Sequence, residues 1–144
     1  MFTFTLEEVL QHRKRIQEEM QKKFTDAKTN MHKLMNDLEE LEQEKKNQMI
    51  EWGKEIRKGF NFNLQEIYLV YIEQLEEKIE LKNKELEQAK QLFIEAQNKL
   101  MIALKDHEVL EELKKKELQK YNESVKREEL KILSEIAIIN YGKQ

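Results

Sequence analysis

The side chains able to do chemistry are few and scattered. The chain of 144 residues holds three histidines (His12, His32 and His107), two serines (Ser124 and Ser134) and no cysteine. No Glu-x-x-His or His-Glu-x-x-His spacing sets two ligands on one helical face, so no helical metal site is expected. Without cysteine there is neither a disulfide nor a thiolate site. The three glycines, Gly53, Gly59 and Gly142, form no phosphate-cradling loop. Carboxylates are plentiful, with 29 Asp and Glu. General acid–base work also needs a pocket that excludes water and shifts a pKa, and long helices offer none. The sequence predicts no enzyme, no cofactor and no metal.

The elements that position these residues follow from composition. Charged residues make up 38%, hydrophobic residues 39%, and proline is absent. A chain so poor in turn formers and so rich in Glu, Lys, Leu and Gln favours long helices. This weighs against collagen-like, disulfide-stapled, β-sandwich and Rossmann-type folds. The net charge of -3 balances 26 basic against 29 acidic residues. A nucleic-acid binder is usually clearly basic, and a disordered chain usually carries a large net charge. The longest apolar run, Ile67 to Ile72, is far short of the ~20 residues of a membrane span. Glu7 and Glu8 interrupt any apolar run near residue 1, so no secretory signal is read there.

Two similar sextets read as helix starts: Phe4-Thr5-Leu6-Glu7-Glu8-Val9 and Phe62-Asn63-Leu64-Gln65-Glu66-Ile67. Thr5 and Asn63 have the chemistry of N-caps. Glu8 and Glu66 complete capping boxes, and Phe4 with Val9 and Phe62 with Ile67 have the spacing of hydrophobic staples. This predicts one coiled-coil hairpin over residues 1–144. Helix one spans about 5–52, a turn about 53–63, and helix two about 64–140. The fold class is all-α, with the second helix longer.

Helix one carries a stripe of Leu6, Val9, Arg13, Ile16, Met20, Phe24, Ala27, Met31, Leu34, Leu38 and Leu41. Helix two carries Ile72, Leu75, Ile79, Lys82, Leu86, Ala89, Phe93, Ala96, Leu100, Ala103, His107 and Leu110. Steps of three and four are the heptad signature. Folding the chain near Gly59 pairs positions whose numbers sum to about 116–117, which sets Phe24 against Phe93 and Ala27 against Ala89. The polar seam residues Arg13, Lys82 and His107 help fix the register. In this register residues 111–140 have no partner. They nonetheless carry an apolar face of Leu118, Tyr121, Val125, Ile132, Ile136 and Ile139, after a change of phase through Lys114. Burying six such side chains is worth on the order of 10 kcal/mol gross, so this face should dock on something. Residues 36–80 carry 12 acidic and 6 basic residues, which makes the region of the turn acidic.

Three segments resemble the flagellar FliJ family. They are the opening Phe2-Thr3-Phe4-Thr5-Leu6 with Val9, Leu10 and Arg13; the block Tyr68-Leu69, Tyr71-Ile72 and Leu75; and the ending Glu129-Leu130-Lys131-Ile132-Leu133-Ser134-Glu135-Ile136-Ala137. Ser134 stands where the family often has Asp. The resemblance implies a component of the flagellar type III export apparatus, similar to the rotor stalk of rotary ATPases. It implies that the end bearing the chain termini enters the ring of the hexameric export ATPase and promotes its assembly, so the face from Leu118 to Ile139 becomes the ring contact. It also implies that the region near the turn meets the large membrane protein of the export gate. That contact uses positions matching Leu41, Glu44, Gln48, Tyr71, Leu75, Lys78 and Lys82. Glu44 and Gln48 stand where some members carry aromatics. Further implied partners are export substrate chaperones, with no nucleic acid. The implied location is the cytoplasm, peripheral to the inner membrane through these partners. A generic cytosolic coiled-coil scaffold or holdase is the alternative.

Overall fold

The computed structural model describes residues 1–59 and 61–143. The regular structure among them is two long helices, α1 (Glu7–Lys58) and α2 (Phe62–Gly142), packed against each other. α2 has 81 residues and α1 has 52.

Both helices begin elsewhere than the sextets suggest. The first α-helical bond of α1 runs from the Leu10 amide to the Leu6 carbonyl, and the Glu7 amide donates to the Phe4 carbonyl. Leu6 therefore takes the capping position in place of Thr5. Glu7 and Glu8 fall in the first turn, and Arg57 and Lys58 in the last, each with the sign that suits the helix dipole. In α2 the cap is Asn61, whose side-chain oxygen accepts from the Leu64 amide at 3.3 Å. Asn63 lies inside the first turn, and Glu66 is out of place for a box. Neither staple forms: Val9, Phe62 and Ile67 are exposed, while Phe4 is buried elsewhere. Gly53 continues α1, and Gly59 ends it at a φ of 145°, a conformation that strains any residue with a Cβ.

The chain divides into two compact units. The middle unit, Met20–Lys99, has Ile72, Leu75, Leu86 and Ala89 as its buried residues. Phe24 stacks on Phe93 at 5.2 Å, as the register predicts. The Trp52 indole donates to the Gln65 side-chain oxygen. Lys45 pairs with Glu76 at 3.2 Å, and Lys82 with Asp37 at 3.9 Å.

The terminal unit joins Met1–Glu19 to the part of α2 that begins at Leu100. Its buried residues are Phe4, Leu10, Leu100, Ala103 and Leu110, with Phe2 packed against the cluster of Phe4, Leu10 and Leu110. Arg13 donates to the Asp106 carbonyl at 3.0 Å, a seam contact that holds register. Two expectations fail here. Leu6 and Val9 point to solvent, and Leu10 enters the seam instead. Phe4, from the segment before α1, is the residue buried together with Leu10 and Leu110. Residues 111–121 are not bare either. Lys114 pairs with Glu7 at 2.9 Å, and Tyr121 lies 5.6 Å from the Phe2 ring. No change of phase occurs at Lys114, because Lys114, Glu117 and Tyr121 continue the half-buried stripe while Leu118 is exposed. From residue 122 to 143 every side chain is exposed.

Two small seam positions, Ala89 and Ala103, are buried. Ala89 is 3% exposed. We expect Ala89→Glu to lower stability by roughly 1–3 kcal/mol, because a carboxylate there loses water without gaining a partner. Ala27→Glu acts in the same direction with a smaller effect, since Ala27 is only half-buried. Denaturant unfolding followed by circular dichroism checks this, and unchanged midpoints for both would contradict the seam.

Candidate functional site

In the middle unit, one side of the helix pair opens into a groove of about 480 Å³. α1 supplies Asp37, Glu40, Leu41 and Glu44, which share one face because positions 37 and 40, 37 and 41, 40 and 44, and 41 and 44 are three or four apart. α2 supplies Tyr71, Leu75, Lys78, Leu81 and Lys82. Six of the seven residues that sequence resemblance assigns to the gate contact thus meet here: Leu41, Glu44, Tyr71, Leu75, Lys78 and Lys82. Gln48 does not line the groove and sits half-buried along the stripe toward Trp52. Asp37, Glu40 and Leu81 were not anticipated. The only hint of the acidic pair is its i, i+3 spacing, Asp37 to Glu40, which makes the two neighbours on one helix face.

Leu75 forms the groove floor and is buried, with Leu41 half-buried beside it. Tyr71 reaches across the helix pair, and its hydroxyl donates to Glu44 Oε1 at 2.7 Å. That bond, with burial and the nearby negative charge behind it, pushes the Tyr71 phenol above its ordinary value of 10.0. Lys82 is shared between Asp37 at 3.9 Å and Glu85 at 3.2 Å. The groove has apolar anchoring surface and charged rims. It has no nucleophile with a base, and no group of three metal-binding side chains is found among the described residues.

The second candidate surface lies in the terminal unit. Of the residues proposed from periodicity, Tyr121 is half-buried against Phe2. Leu118, Val125, Ile132, Ile136 and Ile139 are all exposed, Ile139 at 56%. Leu130, Leu133 and Ile138 are exposed as well. The helix therefore carries apolar side chains into water past its last covering residue. No described helix is long and apolar enough to cross a membrane.

The model of the family described as "Flagellar FliJ protein" matches residues 2–144. The chain belongs to the flagellar FliJ family. Membership makes it a component of flagellar type III export, in a family whose export role is non-enzymatic. Neither the curated proteins nor the solved structures compared with the chain give a match. In this FliJ-family chain, the N-terminal Phe2-Thr3-Phe4 segment covers α2 from Leu110 to Tyr121 and so sets where the bare face begins.

Glu7 fastens that cover. Its carboxyl is held below the ordinary 4.5 by the hydrogen bond from Lys114, with help from Gln11. A depressed carboxyl pKa contributes stability that is full above the unfolded value and fades as pH falls through the folded one. We expect the terminal unit to loosen as pH drops below 4.5. Glu7→Gln should lose this contribution at neutral pH and show a shallower acid limb. Melting curves on either side of that pH check it, and parallel limbs for the two proteins would contradict it.

Proposed function

We propose that this chain is a stalk-like adaptor of the export apparatus, built as a single coiled-coil hairpin and working through two docking surfaces without chemistry of its own. The face of Leu118, Tyr121, Val125, Ile132, Ile136 and Ile139 binds the hexameric export ATPase and promotes its ring assembly. The groove of Leu41, Glu44, Tyr71, Leu75, Lys78 and Lys82, with Gln48 at its margin, binds the large membrane protein of the export gate. The adaptor also handles substrate chaperones, and it acts in the cytoplasm, peripheral at the cytoplasmic face of the inner membrane.

One observation carries the reading: α2 stays helical over residues 122–142 with every side chain exposed, while apolar residues recur along it at helical spacing. Exposed apolar surface of this extent is costly in water and usually marks an interaction site. The groove supports the second contact, because it gathers on one surface residues that are far apart in sequence.

The test is a pull-down with the cognate export ATPase, using the full chain and a chain ending at Tyr121. Truncation should leave helicity before Tyr121 intact and abolish capture; equal capture would remove the tail from the mechanism. In parallel, Tyr71→Ala should keep its helicity and bind the soluble domain of the gate protein at least about tenfold more weakly, a loss in the range of one well-packed anchor. Unchanged affinity would take the groove out of the gate contact.

A further inference from the structure

The two walls of the groove carry opposite charge. α1 lines it with Asp37, Glu40 and Glu44, and α2 with Lys78 and Lys82. Most of these charges are already engaged. Glu44 accepts from Tyr71 at 2.7 Å, and Lys82 lies between Asp37 and Glu85. Glu40 and Lys78 are different: both are exposed, and neither has a hydrogen bond or ion pair among the described residues. The groove thus presents one free anion on the α1 wall and one free cation on the α2 wall, with an apolar floor between them.

We infer that the groove takes an amphipathic helix of the gate protein whose apolar stripe is flanked by one basic edge and one acidic edge. The inference rests on the gate-docking reading given above. Helices lie in grooves by seating apolar anchors at i, i+3, i+4 and i+7, and the floor formed by Leu41 and Leu75 suits such anchors. The basic edge lies along Glu40 and the acidic edge along Lys78. A helix with two basic or two acidic edges meets one wall of its own sign, and like charges in apposition are penalised. Turning a helix end for end in a groove exchanges its two edges. The segregated walls therefore select the direction in which the guest helix runs, as well as its composition.

Calorimetric titration of the full chain with the soluble cytoplasmic domain of the gate protein tests this. Glu40→Lys and Lys78→Glu should each weaken binding by about tenfold or more, and both losses should shrink at high salt. Both positions are exposed, so folding is preserved, and circular dichroism verifies it. Glu40→Gln and Lys78→Gln should weaken binding less than the reversals. If one reversal weakens binding while the other strengthens it, the partner's edges share one sign and the inference is overturned. If both reversals bind as the unaltered chain does, the inference fails and the gate reading stands. If the unaltered chain does not bind the domain, the gate reading fails and takes the inference with it.

Discussion

A helix that repeats its inward positions every three and four residues has to be covered for as long as the repeat lasts. In α2 that stripe runs without a break from Ile72 to Tyr121. α1 has 52 residues to offer against a helix of 81, so it cannot cover all of it. The deficit is met first by the residues before α1, where Phe4 is buried with Leu110 and Phe2 lies on Tyr121. Beyond Tyr121 no described residue covers the helix. Burial follows this order: Leu100, Ala103 and Leu110 are buried, Lys114, Glu117 and Tyr121 are half-buried, and residues 122–143 are exposed. Helices of this length draw most of their stability from a packed face, so an uncovered face is where a partner adds most.

Much of this is legible in the residues themselves. The α2 stripe is correct from Ile72 to Leu110, and the α1 stripe from Arg13 to Leu41, because both are sustained three–four repeats. The Phe24–Phe93 contact follows from assuming one register. The helix starts are less legible. Asn61 and Asn63 are equally good caps by type, and only in three dimensions is Asn61 seen to accept from the Leu64 amide. Phe4 shows the same limit. A pair of phenylalanines before a helix has no period to read, so its burial against Leu110 is visible only in three dimensions.

The groove was half legible. A family resemblance points to Tyr71, Leu75 and their neighbours, yet nothing local in the sequence says that Asp37 and Glu40 stand on the opposite wall. In a chain with 38% charged residues, any one carboxylate reads as a solvated helix face. Glu40 and Lys78 differ from the groove's other charges, Asp37, Glu44 and Lys82, in having no ion pair or hydrogen bond among the described residues. Two helices side by side make ridges, a groove and an exposed end, and exposed apolar surface of this kind usually marks an interaction site.

The claim that most needs measurement is that coverage of α2 ends near Tyr121 and is completed by another molecule. Amide hydrogen exchange, read along α2 with and without the export ATPase, addresses it directly. The account predicts slow exchange up to about Tyr121 in the free chain and fast exchange after it, with protection appearing beyond Tyr121 when the ATPase is added. Slow exchange through Ile139 in the free chain, or a bound state in which residues 122–142 stay unprotected, would contradict it.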